Sequence, residues 1–264
     1  MNPLDTRFRG GFPEGHTLVT REGEADGDTG VDFGIWRGDR LDERDAKETV
    51  WLLVDGKATI EWPDGRAEAA RGSVFDEAPF ALSVPADTRV RIDGRSEWAF
   101  ARATNARAFA PRLFAPRDVA PEYRGKGLVQ DASLRNVRLI FDHAIRPESN
   151  LVIGEVVNYP GRWSSYPPHH HVQPEIYHYR FTEPQGYGHS ELGDRVLKVK
   201  GGDTVRILDG VSHAQVSAPG YAMFYIWIVR HLAGNPYLGF HFDPEHEWVL
   251  DPARQGWRPA GGPS

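Results

Sequence analysis

The sequence predicts an all-β chain folded as two successive barrels or sandwiches. Three observations lead there. Short apolar runs with a period of two recur along the chain, 28 glycines and 20 prolines punctuate them, and neither half carries a long amphipathic helical pattern. At 264 residues the chain can bury one large core or two smaller ones. The texture changes near residue 106, which predicts an N-terminal unit with its connector over 1–125 and a C-terminal unit over 126–264.

The elements can be justified in order. "TVWLLVDGKATIEW" (49–62) reads as two strands joined in a hairpin at Asp55-Gly56, a dipeptide suited to tight hairpin turns. "SVFDEAPFALSVPADTRVRIDG" (73–94) and "EWAFARAT" (97–104) continue the alternation, so the first hundred residues form an antiparallel unit. "ARAFAPRLFAPRDVAPEYRGKG" (106–127) has repeated proline steps and no period, the mark of a connector lying over the surface. Strands resume with "RNVRLIFD", "NLVIGEVVNY", "DRVLKV" and "DTVRIL". "YAMFYIWIVRHL" (221–232), apolar on both faces and rich in aromatic and β-branched residues, reads as a central strand buried from two sides, in a core or a subunit interface.

Composition narrows the partners. The net charge of −6, with 37 acidic against 31 basic residues and no long basic run, gives no nucleic-acid surface. A small substrate or a protein partner, including a second copy of the chain, is expected instead. The absence of cysteine removes disulfides and thiolate nucleophiles, so any metal must be held by histidine and carboxylate. The first twenty residues lack a secretory apolar core and no run of eighteen apolar residues occurs, which makes the cytoplasm the expected compartment and a membrane partner unexpected.

Three of the chain's 11 histidines stand together in "SSYPPHHHVQPEIYHYR" (164–180). On a strand His169 and His171 point the same way, about 6.6 Å apart along the backbone, and His170 points the other way. Glu175 adds an oxygen ligand if the chain bends at Pro174. Downstream, "GGDTVRILDGVSHAQVSAPG" (201–220) offers His213 after a turn at Gly210. The pair of spacings, H-x-H-x3-E and then a glycine-framed run ending in histidine, resembles the two-part cupin signature, with Leu208 where that pattern has proline. The resemblance implies a jelly-roll barrel holding a divalent metal by His169, His171, Glu175 and His213. Zinc leads the candidates, with manganese, iron, cobalt and nickel also suited to mixed N/O ligands. The segment 72–92 resembles the second cupin motif too, but no histidine occurs between His16 and His143. The chain therefore reads as a bicupin, two jelly-roll β-barrels of which only the C-terminal one binds metal.

The residues around these motifs, "GRWSSYPPHHH", "EIYHYRF", "PQGYG", "APGYAMFYIWIV" and "DPEHEW", resemble the 5-deoxy-glucuronate isomerases of myo-inositol catabolism, kin of the 4-deoxy-hexosulose-uronate ketol-isomerases. The resemblance is strongest over 135–248. It implies an aldose–ketose isomerase acting on a sugar acid, with its metal on the same four residues. Departures lie beside the site: His170 and Val172 replace a lysine and an aspartate, and Tyr177-His178-Tyr179-Arg180 replaces Tyr-Tyr-His-Arg.

Such a reaction needs a polar group beside the metal and a cation for the substrate carboxylate. Alternation puts Glu175, Tyr177 and Tyr179 on one side of their strand and Ile176, His178 and Arg180 on the other, which makes Tyr177 the candidate polar group. For the carboxylate, Arg180, Arg135, Arg138 and Arg162 are eligible, with Arg180 and Arg135 ranked first on the resemblance. The bland reading, core or surface, is preferred for His178, His189, His241, His246, Trp163 and Trp248. An iron(II) cupin dioxygenase and a non-enzymatic sugar-binding cupin are the alternatives.

Overall fold

A computed structural model describes residues 2–260. The first half contributes β1 (Leu4–Asp5), β2 (Gly15–Thr20), β3 (Asp32–Arg44), β4 (Glu48–Trp62), β5 (Gly65–Arg71), β6 (Ala81–Val84), β7 (Arg89–Ala103) and β8 (Arg112–Phe114). Then follow β9 (Glu122–Arg124), β10 (Arg135–Phe141), β11 (Leu151–Asn158), β12 (Trp163–His170), β13 (Glu175–Phe181) and β14 (Tyr187–Leu192). The chain continues through β15 (Arg195–Lys200), β16 (Thr204–Ile207), β17 (His213–Ser217), β18 (Met223–Arg230) and β19 (His241–Phe242). The helical elements among the described residues are short turns, and no helix is long and apolar enough to cross a membrane.

The first barrel is one sheet bent over itself. Its order is β2-β3-β7-β4-β6-β8, with β5 added beside β4. β3, β4 and β7 are 13 to 15 residues long, and their registers slip at one level, between Gly38 and Arg40 and between Leu53 and Asp55. Extra residues at that level bend each strand and raise its twist. Two glycines make the bend possible. Gly56 (φ 102°) and Gly94 (φ 130°) hold conformations closed to L side chains, and an added Cβ would meet Arg95 O at 2.4 Å and Lys57 O at 2.5 Å respectively. The hairpin expected at Asp55-Gly56 is therefore a bend inside the single strand β4. The reversal comes at Pro63-Asp64, between Trp62 and its partner Gly65. Between the two halves of the bent sheet lie Trp36, Trp51, Trp98, Leu53, Leu82 and Phe100, all buried.

The second barrel has two facing sheets, β1-β16-β13-β18-β11-β10-β9 and β15-β14-β17-β12-β19. Two short pieces of the first 125 residues belong to it: β1 pairs with β16 and β9 with β10. In the connector β8 joins the first barrel's sheet through β6 while β9 joins the second's, so the proline-rich stretch is stitched to both.

The seven-stranded sheet is buried on both faces, as the apolar run at 221–232 predicts. From β18, Phe224, Ile226 and Ile228 join Ile153 and Ile176 in a cluster with Phe33, Ile35, Val50, Leu52 and Ala101 of the first barrel. The alternate residues Met223 and Tyr225 face into the second barrel with Tyr177, Tyr179 and Val199. One charged group is embedded between the barrels. Glu155 of β11, fully buried, receives Arg71 of the first barrel at 2.5 Å and Arg138 of β10 at 2.9 Å. The architecture is all-β, a bicupin whose central sheet is shared as packing surface.

Candidate metal centre

The site lies where the two sheets of the second barrel meet. β12 and β17 belong to one sheet and pair His169 directly with His213, while Glu175 opens β13 in the other. His171 stands in the bend between β12 and β13. The turn at 208–210 delivers His213: Val211 N donates to Leu208 O at 3.2 Å, and Asp209 (φ 58°) and Gly210 (φ 65°) are both left-handed. Two positive-φ residues in succession reverse the chain within one step, which Gly does freely and Asp tolerates.

Ligand atoms of His171, Glu175 and His213 lie within 4.8 Å of one another, and all three residues are buried. Glu175 Oε2 is 3.2 Å from Nε2 of His171 and 3.2 Å from Nε2 of His213. Burial acts to raise the Glu175 carboxyl, but contact with the two histidines outweighs it and holds the group at about 2. The carboxylate is thus an anion in a dry place.

His213 provides a test of whether a cation suits this cluster. Its Nδ1 faces the carbonyl of Val211 at 3.1 Å, and a carbonyl only accepts, so Nδ1 carries the proton and Nε2 presents a lone pair. That Nε2 is buried without a hydrogen bond, although Glu175 Oε2 stands in front of it. A lone pair facing a carboxylate oxygen is repulsive unless a positive charge, a second proton on the ring or a metal ion, lies between them, and the donor set fits a divalent metal in that place.

His169 is set slightly apart. Its ring centroid is 4.4 Å from that of His213 and 6.5 Å from that of His171, and it lies outside the tight group of three. Its Nδ1 is aligned on Ser165 O at 3.2 Å, which leaves its Nε2 a lone pair as well. Burial, reinforced by His213, lowers it to about 3, so it stays neutral. His170 points outward, half exposed, towards Asp243 at 3.4 Å.

A cavity of about 260 Å³ opens beside the cluster, with Arg124, Arg135, Tyr177, Tyr225, Trp227 and Tyr237 in its wall. The Tyr177 hydroxyl is 3.2 Å from Ser165 Oγ, and the Tyr225 hydroxyl 2.5 Å from Ser164 Oγ. Burial, and next the Glu175 charge, push the Tyr177 phenol well above its ordinary value, so it remains protonated. Trp227 forms a floor made possible by Gly154 across the strand pair, where an added Cβ would come within 2.6 Å of the indole.

The expected arginines divide. Arg135 lines the cavity, buried, with Nη1 donating to Ser133 O at 2.9 Å and no carboxylate within ion-pair distance among the described residues. Burial pulls its pKa down, and the Arg124 charge acts in the same direction. A buried guanidinium without a counter-ion is an anion site in waiting. Arg180 is a correction: it lies on the opposite face of β13, towards the first barrel, ion-paired with Glu97, and does not reach the cavity. Period-two alternation implies that placement, since Arg180 shares its face of β13 with Ile176 and His178. Arg138 is committed to Glu155, and Arg162 is directed to Gln130 O at 3.4 Å.

Sequence reasoning missed Arg124, Trp227, Tyr237 and Phe240. Trp227 had a signal, because it shares a face with Tyr225; Arg124 and the 237–240 segment lie in stretches without a period. Among the described residues the histidine–glutamate cluster of the second barrel is the one group of its kind.

Fold and site together define a cupin-type protein of two barrels with one histidine–glutamate centre. The chain belongs to the KduI/IolB family, whose model matches residues 10–249. It is 31% identical over 226 residues to the 5-deoxy-glucuronate isomerase of Geobacillus kaustophilus, a match covering 78% of this chain and 79% of that one. With the 5-deoxy-glucuronate isomerase of Bacillus subtilis it shares 26% over 239 residues, 80% and 82% of the two chains. Among solved structures, an IolB-like protein from Salmonella typhimurium matches with a TM-score of 0.83 at 23% identity, covering 95% of this chain and all of that one. Oxalate decarboxylase from Lactobacillus farciminis, at TM-score 0.63 and 12% identity over 86% of each chain, shares the fold. The chain is an isomerase of this family.

Proposed function

We propose that the protein is a divalent-metal-dependent aldose–ketose isomerase that converts 5-deoxy-glucuronate to 2-deoxy-5-keto-gluconate in the cytoplasmic catabolism of myo-inositol. One observation carries the reading: a buried carboxylate faced by two imidazoles and a buried guanidinium without a counter-ion line a single cavity. Such a cavity suits a small molecule with a carboxylate at one end and oxygens to be polarised at the other. The relatives' names supply the particular sugar acid.

His169, His171, Glu175 and His213 hold the metal, with zinc the first candidate. When bound it supplies Lewis acidity to a carbonyl and its neighbouring hydroxyl. Arg135 fixes the carboxylate, helped by Arg124 on the adjoining strand, and so orients the chain of the sugar acid along the Trp227 floor. The reaction moves one proton from the hydroxyl-bearing carbon to the carbonyl carbon, and one from the hydroxyl to the carbonyl oxygen. Tyr177, held by Ser165 and kept neutral by burial, hydrogen-bonds the reacting oxygens and keeps water out.

The test is a proton NMR time course of 5-deoxy-glucuronate in D2O with metal-loaded and chelator-stripped protein. Metal-dependent appearance of the ketose is expected, with deuterium at the new carbon if solvent exchanges with the transferred proton. No conversion with any divalent metal would overturn the reading.

A further inference from the structure

Four tyrosines surround the second barrel's interior, and three have their hydroxyls engaged. Tyr177 meets Ser165, Tyr225 meets Ser164, and Tyr179 donates to Gln215 at 2.7 Å. Tyr237 differs, since its hydroxyl has no hydrogen-bond partner among the described residues and yet it lines the cavity. It shares the cavity wall with Glu175, Arg124 and Asp142.

The segment bearing Tyr237 is fastened down. Tyr237 N donates to His231 Nδ1 at 2.9 Å, and Asn235 N to Leu232 O at 3.0 Å. Gln173, buried between His171 and Glu175 in sequence, donates through Nε2 to Asn235 O at 3.0 Å. The Tyr237 ring rests edge-on against His171 at 4.8 Å, and Phe240 covers His169 at 4.3 Å. The segment is therefore a roof hung from the loop that carries the ligand residues, and a fixed roof presents the Tyr237 side chain at a fixed place.

We propose that the Tyr237 hydroxyl is a substrate contact, donating a hydrogen bond from the roof to an oxygen at the reacting end of the sugar acid. This rests on the isomerase reading above. The roof then has two separable parts: the ring steadies the His171 imidazole, and the hydroxyl recognises substrate. A hydroxyl fixed at one side of the reacting end pairs best with a substrate that carries an oxygen there, so the contact discriminates for such a substrate.

Tyr237→Phe isolates the hydroxyl because it keeps the ring. Metal content, Tm, kcat and KM are measured for the wild type and this variant with 5-deoxy-glucuronate, and binding of D-glucuronate, a non-identical sugar acid, is followed by calorimetry. The expectation is unchanged metal content and Tm with kcat/KM lowered roughly 10- to 100-fold, the range for one hydrogen bond to a reacting group. Tyr237→Leu, which also removes the ring, is expected to lose metal affinity in addition. A Tyr237→Phe enzyme within twofold of an active wild type in both kcat/KM and sugar-acid binding overturns the Tyr237 assignment alone. A metal-loaded wild type that neither turns over nor binds a sugar acid overturns the isomerase reading and this contact with it.

Discussion

The two barrels place their inward residues by the same alternation and fill those positions with opposite chemistry. Inside the first stand Trp36, Trp51, Trp98 and Phe100; inside the second stand His169, His171, Glu175, His213 and Tyr177. The first interior is filled by buried aromatic and aliphatic side chains. The second gives up apolar burial for polar groups that need partners, and it can do so because its seven-stranded sheet already has a large apolar contact on its other face. One barrel acts as foundation and the other as workplace.

The largest expected effect attacks the workplace. Glu175→Ala removes the anion that joins the two imidazoles, so kcat/KM should fall by about a thousandfold or more, with bound metal lost in elemental analysis and the fold retained by circular dichroism. Retained metal and activity would make the second interior as passive as the first.

Next comes the foundation. Trp98→Ala opens a void in the first core and should cost about 3–5 kcal/mol by urea melting, while metal stoichiometry of the folded fraction stays unchanged. Metal loss at low denaturant in that variant would show the two interiors to be less separate than drawn.

A smaller effect sharpens which charges serve which barrel. Arg135→Met should raise KM for the sugar acid on the order of ten- to a hundredfold, the scale of a charge-assisted bond, whereas Arg180→Met should leave KM within about twofold and lower only Tm. Reversal of that pattern would return the carboxylate role to Arg180.

The smallest effect is graded in pH. His178, fully buried on the side facing the first barrel and bonded to Thr204 Oγ1 at 2.9 Å, is held down to about 3, chiefly by burial and next by Arg180. Its folded pKa lies below the ordinary value of 6.5, so the unfolded chain binds the proton more readily. Its stabilising share is therefore intact above about 6.5 and lost as pH falls from there towards 3, with a slope of at most about 1.4 kcal/mol per pH unit. Urea melts of metal-free protein between pH 7.5 and 5 should show this decline, and His178→Asn should make it shallower while leaving the shares of His169 and His231, which burial also lowers, to about 3 and about 4.

Much of this was legible in the sequence. The two-barrel class, the buried run at 221–232 and the convergence of His171, Glu175 and His213 follow from alternation and spacing. Asp55-Gly56 misled because a glycine at positive φ serves a bend within a strand as well as a hairpin, and only the partner strand β7, far along the chain, decides between them. Arg180 is legible from parity along β13, which sets it with Ile176 and His178 and away from Glu175 and Tyr177, whereas family resemblance carries no such parity. Tyr237 and Arg124 were invisible for a different reason: they sit in aperiodic segments whose position is set by tertiary contacts.

The apolar face shared by the barrels also sets a timetable. As the chain leaves the ribosome, the first barrel is complete while Phe33, Ile35, Val50 and Leu52 still look onto solvent, because Phe224, Ile226 and Ile228 emerge much later. The earliest residues wait as well, since Leu4 and Asp5 pair with β16. A nascent chain must therefore guard an oily surface from the end of β8 until β18 has been made. A gene cut to leave the first barrel alone would produce a protein permanently at that vulnerable stage, prone to clump with its own kind.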